Sequence, residues 1–327
     1  MKAIVYRAYG PPDVLELAEI EQPTAGADEV LIEVRAAAVN PLDWHYVRGS
    51  PYFIRLLAGL RRPKVTRLGV DVAGRVEAVG VNVRQFKPGD EVFGGCRGAF
   101  AEYACASERA LVLKPGNVTF EQAAAAPVAA YTALQSLRDH GRLQSGQQVL
   151  INGAAGGVGT FAVQIAKSFG AVVTGVCSAG NVSMVRSLGA DEVIDYSQED
   201  FTKSGKRYDL ILDAVGNHSL LACRRALKPK GILVMVGGSG GGLIAMLARA
   251  LAAVVLSRLV SQDLLMMLTK PSQKDLTIIR DLMAAGKVTP VIDRRYSLSE
   301  VPEAIRYLEG GHARGKVVII LEHGENT

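Results

Sequence analysis

Apolar residues follow two different patterns along the 327-residue chain. Up to about residue 120 they come in short runs broken by Pro and Gly. These runs are Ala3 to Tyr6, Val30 to Val39, Asp71 to Gly80, Lys87 to Phe93 and Ala99 to Cys105. Gly74 and Gly80 fall at a bend and a turn of the third run. Repeated short strands with Pro/Gly turns predict a compact, barrel-like β-rich domain. From Thr119 the period changes. Thr119 stands three residues before Gln122 at the head of an Ala-rich run, the spacing of a capping box. After Pro127, Tyr131, Leu134 and Leu137 share one face of a predicted helix over 129–140. An apolar run then leads from Val149 to Ile151 into a glycine-dense turn. Beyond it Val158, Phe161, Ala162, Ile165 and Ala166 recur at helical spacing. Further strand-like runs at 171–177, 193–195, 208–213 and 231–237 alternate with helical stretches. That alternation predicts a doubly wound parallel sheet, so the fold class is α/β.

Three segments complete the pattern. Arg48 to Pro63 mixes aromatic, apolar and basic residues and reads either as a surface helix with snorkelling arginines or as a mobile loop over the substrate. Leu243 to Leu259 follows a run of glycines and is the most apolar stretch. A membrane span needs roughly 20 apolar residues, and Arg249 and Arg258 interrupt this one. It is expected to be a buried or interface helix rather than an integral span, a peripheral membrane contact being the other reading. In the tail, 286–293 is strand-like, Ser299 to Glu309 opens with a helix cap, and Gly315 to Leu321 is a strand. These elements are expected to return to the first domain and complete its sheet. One domain therefore comprises residues 1–120 and 293–327, the other 121–292.

Composition narrows the class. A hydrophobic share of 49% with 21% charged residues fits a globular protein, and the length favours two cores. The net charge of +5 suits an anionic cofactor. It is too diffuse, with no run of five Lys or Arg, to point to nucleic acid. Cys96, Cys105, Cys177 and Cys223 lie far apart without a C-x-x-C pair, as expected of reduced thiols. The chain opens directly on a strand pattern with no signal-peptide features, so a cytoplasmic location is expected.

The glycine turn carries the candidate chemistry. Strand, tight turn and helix bring backbone N–H groups and the positive end of the helix dipole to a pyrophosphate. Gly156 and Gly157, lacking Cβ atoms, allow close approach, and Gly159 allows the helix to pack tightly on the strand. The ligand is expected at the carboxyl ends of the strands. An NAD-specific site places Asp or Glu at the end of the second strand, but here the run is Val176, Cys177, Ser178. A carboxylate there would repel a 2′-phosphate, whereas a hydroxyl can donate to one. NADPH is therefore favoured, with NADH the alternative.

Seven stretches in this order resemble the medium-chain dehydrogenase/reductase superfamily, in its zinc-free quinone oxidoreductase branch. They are Ala38 to Asp43, Leu68 to Gly74, Lys87 to Val92, Ala154 to Gly159, Ser187 to Asp191, Asp213 to Gly216 and Gly315 to Val318. The resemblance implies a GroES-like catalytic domain, a Rossmann domain and a homodimer, some members being tetramers. It implies cofactor contacts from Thr132, from Ala155, Gly156, Gly157, Val158 and Gly159, and from Ser178, Tyr196, Gly216, Gly237 and Lys316. Relatives often carry Arg just after the second strand. Here the run is Ser178, Ala179, Gly180, Asn181, which leaves Lys203 or Arg186 to meet a phosphate. Zinc-dependent relatives ligate metal with a Cys where this chain has Asn40, and with a His where it reads Gly69, Val70, Asp71. Asp43 and His45 do not complete the three ligands a catalytic zinc needs. Cys96 and Cys105 are two where structural-zinc relatives have four, so no metal is expected.

Without a Lewis acid, the acceptor must already be electrophilic: a quinone or an α,β-unsaturated carbonyl. Asn40 is the candidate donor to its oxygen and Asp43 the candidate for orienting Asn40. The other reading is that both hold the Asn-Pro turn together. Tyr46, Tyr52 and Tyr131 either line the site or pack. The expected function is thus a zinc-independent, NADPH-dependent quinone or enone oxidoreductase. The alternatives are an NADP(H)-binding redox-sensing or interaction module with little catalysis, and an alcohol dehydrogenase using metal through unrecognised ligands.

Overall fold

A computed structural model describes residues 1–236 and 242–322, the side chains of Leu57 and of 242–247 excepted. In chain order the strands and helices begin with β1 (Lys2–Tyr6), β2 (Leu15–Glu19), β3 (Glu29–Val39), α1 (Pro41–Arg48) and α2 (Phe53–Ala58). Next come β4 (Asp71–Val79), β5 (Glu91–Gly95), β6 (Tyr103–Ser107), β7 (Leu111–Leu113), α3 (Phe120–Ala125) and α4 (Pro127–Gln135). The parallel-sheet region holds β8 (Gln148–Asn152), α5 (Gly157–Ser168), β9 (Val172–Cys177), α6 (Val182–Ser187), β10 (Glu192–Asp195) and β11 (Tyr208–Asp213). It continues through α7 (Leu220–Arg225), β12 (Leu227–Val236), α8 (Gly242–Leu259) and β13 (Asp263–Met267). The chain closes with α9 (Gln273–Ala284), β14 (Ile292–Ser297), α10 (Val301–Glu309) and β15 (Lys316–Ile320). Chain contacts define two compact units. The first is Met1–Val128 with Pro271–Gly286 and Pro290–Thr327; the second is Ala129–Lys270 with Lys287–Thr289.

The first unit is built on β3, eleven residues long, which pairs with β4, β6 and β15. Its sheet runs β14-β15-β3-β4-β5-β7, so the tail does complete the sheet of the N-terminal strands. At Gly74 a Cβ would lie 2.1 Å from the Glu33 carbonyl oxygen. Only glycine lets β4 pass that close to β3, and the register shifts beside it. Ile4, Val34, Val72, Phe100, Ile305 and Val317 form part of the core beneath.

In the second unit the sheet runs β10-β9-β8-β11-β12-β13, with every pair parallel. Counted within the unit this is the order 3-2-1-4-5-6. The sense of winding reverses between β8 and β11, and ligands of such sheets bind at that point. The strands are apolar runs because both faces are covered; Leu150, Ile211, Leu212 and Leu233 are fully buried.

The capping box at Thr119 forms as expected: Gln122 N–H donates to Thr119 Oγ1, and Thr119 N–H to Gln122 Oε1. The strand expected over 286–293 begins only at Ile292. Pro290 has no N–H to give a ladder, and the carboxamide of Gln164 takes both Thr289 backbone groups, at 2.8 and 3.0 Å. Within the Arg48–Pro63 segment, α2 is helical, and Arg55 folds back over the rings of Tyr9 and Tyr52 rather than reaching into solvent. α8 is helical as expected, and of the two readings, a buried or an interface helix, the exposure of Leu251, Val254, Val255 and Leu259 excludes the first. Among the described residues no helix is long and apolar enough to cross a membrane. All four cysteines are free.

Candidate active site

The glycine turn joins β8 to α5. Gly153 adopts a left-handed φ of 87°, and the N–H groups of Gly153 and Ala154 donate to Val176 of β9, fixing the turn against the neighbouring strand. A Cβ on Gly159 would sit 2.0 Å from the Gly153 oxygen and 2.7 Å from Ala154 Cα. Helix and turn are thus in contact at a distance only glycine permits. Gly156 is different: a Cβ there meets nothing closer than 3.4 Å. That is ordinary contact, and Gly156 lies at the N-terminus of α5. No side chain caps that terminus and its first turn carries no acidic residue. The unclaimed N–H groups and the helix dipole suit a phosphate.

The other expected nucleotide contacts of this unit cluster along the same carboxyl edge. Asp195 of β10 pairs in register with Cys177 of β9, so Tyr196 and Ser178 leave adjacent strand ends together, and Tyr196 N–H donates to the Cys177 carbonyl at 3.1 Å. Ser178 Oγ accepts from the Asn181 amide at 3.0 Å, while the Asn181 amide oxygen is buried without a partner among the described residues. Lys203, a candidate phosphate cation, pairs instead with Asp200, and Arg186 is exposed on α6. Burial, with Asp195 adding to it, pushes the Cys177 thiol up to about 11, which leaves it unreactive near neutrality.

β11 ends beside β8, with Asp213 in register with Asn152. Asp213 Oδ1 accepts from Asn152 Nδ2 (2.8 Å) and from the N–H groups of Val215 (3.2 Å) and Gly216 (2.8 Å). Gly216 has a φ of 74°. Arg249 of α8 donates to the Gly216 carbonyl at 3.2 Å and to Asp213 Oδ2 at 3.4 Å. The turn at Gly216 is thus locked by Asn152 and Arg249, neither of which the sequence reading assigned to the site. Thr132 is buried on α4, its hydroxyl 2.7 Å from that of Thr269 just past β13. Gly237 lies outside the described residues.

The first unit holds a separate buried cluster. Asn40 precedes α1; its N–H donates to Asp43 Oδ2 at 2.8 Å, and Gly69 N–H donates to Asp43 Oδ1 at 3.2 Å. The Asn40 carboxamide gives one N–H to Asp71 Oδ2 (2.9 Å) and one to the Ala38 carbonyl (3.3 Å). Its oxygen accepts from Lys316 Nζ at 2.5 Å; Lys316 also donates to the Val39 carbonyl (3.2 Å) and lies 3.7 Å from Asp71 Oδ2. Asp71 Oδ1 accepts from Val128 N–H. None of the four side chains is more than 4% exposed. Burial pushes the Asp43 carboxyl up to about 7, and its backbone donors only partly offset this. Burial also raises Asp71 and lowers Lys316, against their mutual attraction.

Within the cluster Asn40 gives its two amide hydrogens to Asp71 and Ala38, and Lys316 donates to Asn40 and Val39. Asp43 does orient the Asn-Pro turn, from the third position of α1. Of the tyrosines, Tyr46 packs on the core, Tyr131 is buried, and Tyr52 is exposed beneath Arg55. Among the described residues, no group of three or more His, Cys, Asp or Glu side chains is placed to hold a metal ion.

Residues 26–116 match the family described as alcohol dehydrogenase GroES-like domain, and residues 188–319 the family described as zinc-binding dehydrogenase. The 2-methylene-furan-3-one reductase of Solanum lycopersicum is 36% identical, the match covering 98% of this chain and 79% of that protein. The solved quinone oxidoreductase of Coxiella burnetii is 32% identical with a TM-score of 0.87, covering 98% of this chain and 99% of the other. The Escherichia coli quinone oxidoreductase, solved in complex with NADPH, is 25% identical with a TM-score of 0.84, covering 98% and 100%.

Proposed function

The chain belongs to the medium-chain dehydrogenase/reductase superfamily, in its quinone oxidoreductase branch, and from that premise we propose that it is an NADPH-dependent reductase of quinones and α,β-unsaturated carbonyl compounds. The observation that carries the proposal is the turn at 153–159. Gly159 is forced by contact inside the protein. Gly156 is not, since a Cβ there would make only an ordinary contact, and it lies at an uncapped helix N-terminus at the reversal point of the sheet.

The residues present fit a dinucleotide. The N–H groups of Ala155, Gly157, Val158 and Gly159 would receive the pyrophosphate, while that of Gly156 is held by the Gly153 carbonyl at 3.0 Å. Ser178 and the unsatisfied amide of Asn181 meet the adenosine ribose, and Ser178 stands where a carboxylate would repel a 2′-phosphate. Tyr196 flanks them. Gly216, held by Asp213 and Arg249, lets the backbone approach the ligand at the end of β11. Thr132 completes the contacts proposed among the described residues. Bound there, the reduced nicotinamide supplies a hydride, a chemistry that belongs to the cofactor.

Reduction proceeds without a metal ion. Where zinc-dependent relatives place thiolate and imidazole ligands, this chain offers the Asn40 carboxamide, whose oxygen accepts from the Lys316 ammonium, and the Asp71 carboxyl, which lies 3.7 Å from that ammonium. A quinone or enone is electrophilic enough to need positioning more than polarisation. Asn40, Asp43 and Lys316 act as positioning residues: they fix the turn that starts α1, and Asp43 holds a proton up to about neutral pH. The enzyme works as a cytoplasmic homodimer; its four free thiols suit a reducing compartment.

The test is acceptor-dependent NADPH oxidation by the purified protein over a panel of naphthoquinones and straight-chain enones. Turnover with one or more is the expected result. Tight NADPH binding with no turnover across the panel would overturn the enzyme in favour of a nucleotide-sensing module.

A further inference from the structure

We propose that the outer face of α2, with the basic segment that follows it, is a docking surface for an anionic lipid bilayer. α2 is apolar on both sides. Ile54 and Ala58, one turn apart, are buried against the first unit. Tyr52 and Leu56, also one turn apart, are 76% and 71% exposed, and Leu60, just past the helix, is 67% exposed. The segment is braced from its inner side. Arg55 Nε donates to the Gly49 carbonyl at 3.0 Å, and its guanidinium lies over the rings of Tyr9 and Tyr52. Tyr9 Oη donates to the Gly59 carbonyl at 2.6 Å, and Lys64 N–H to the Ala58 carbonyl at 2.7 Å. The braced segment thus holds Tyr52, Leu56 and Leu60 out as an uncovered apolar surface.

Charge identifies the occupant. Residues 44–70 contain Arg48, Arg55, Arg61, Arg62, Lys64 and Arg67 and no Asp or Glu. Three of the six are used inside the fold: Arg48 pairs with Glu309, Arg55 bonds to Gly49, and Arg67 is half-buried on its bridge to Val5. Arg61, Arg62 and Lys64 are exposed, without an acidic partner among the described residues, and they lie between Leu60 and the exposed Val65. A second copy meeting this face with its own would set like charge against like. A nucleic acid offers phosphates but nothing to cover the leucines. A bilayer bearing anionic headgroups offers both. Its hydrocarbon receives Leu56 and Leu60, and its interface suits the Tyr52 ring. Its phosphates meet the arginines, whose long stems keep their charge at the surface.

The experiment is co-sedimentation of the full chain with phosphatidylcholine vesicles and with vesicles also containing phosphatidylserine. Binding is expected to the second kind and to fall as salt rises. The double variant Arg61→Gln, Arg62→Gln is expected to bind about 25-fold more weakly, at about fivefold per basic residue. Leu56→Ser with Leu60→Ser weakens binding as well. Both variants are expected to keep the wild-type circular dichroism, solution mass and NADPH affinity, the proposed nucleotide contacts lying in the second unit. Failure to bind either vesicle, or binding indifferent to both variants, overturns the proposal. Weakening in the arginine variant alone overturns it too, since charge without hydrocarbon describes a soluble polyanion. So does a fall in solution mass in the leucine variant, which would assign the face to a second copy. The readout is independent of catalysis: an inactive protein whose binding to anionic vesicles weakens in both variants still supports the proposal.

Discussion

Asp43→Asn tests the buried cluster through the pH dependence of stability. In the folded protein the Asp43 carboxyl titrates at about 7 instead of 3.8. Between those values the folded chain holds a proton that the unfolded chain has released. Stability therefore falls as pH rises through that window and levels off above it. Roughly three units at 1.36 kcal/mol each amount to about 4 kcal/mol. Asn does not titrate, so this contribution vanishes in the variant. Asn also offers one acceptor where Asn40 N–H and Gly69 N–H now find two, which adds a pH-independent loss of about 1–3 kcal/mol. The assay is urea unfolding of both proteins at steps from about pH 4 to about pH 8. The wild-type advantage is expected to shrink by about 4 kcal/mol across the window. A difference that stays flat with pH would refute the claim that Asp43 is buried at the expense of its charge.

Gly159→Ala drives a methyl into the Gly153 carbonyl; a loss of about 3 kcal/mol is expected in denaturant unfolding, with NADPH binding lost alongside. Gly156→Ala is expected to change stability by no more than about 0.5 kcal/mol. The same methyl fills the space reserved for phosphate and raises the NADPH dissociation constant about tenfold, measured by fluorescence titration. Ser178→Asp puts a carboxylate at the end of β9 and is expected to raise KM for NADPH about tenfold while leaving that for NADH nearly unchanged in steady-state assays.

The parallel sheet is legible because its strands are continuous apolar runs, and because Gly153, Gly156 and Gly159 mark one turn where backbone conformation, ligand space and helix contact each exclude a side chain. Local pattern fails where distant side chains claim backbone groups. Gln164 takes both groups of Thr289, 125 residues away, and delays the strand expected from 286. The bonding of the Asn40 cluster is illegible for the same reason: Asp71 lies 31 residues on and Lys316 lies 276 on, so no spacing shows that the three side chains meet. Asn152 and Arg249 meet at Asp213 only because β8 and β11 become neighbours through a crossover. For α8 the composition suggests a buried or interface helix without choosing between them, since an apolar run gives no sign of which face the fold covers.

The central claim is that this chain passes a hydride from NADPH directly to an electrophilic acceptor. Turnover of an enone with NADPH deuterated at the transferable position of the nicotinamide tests it most directly. The account expects one deuterium in the product, on the carbon β to the carbonyl, from one face of the nicotinamide only. No product, or product whose β hydrogen comes from solvent, would contradict it.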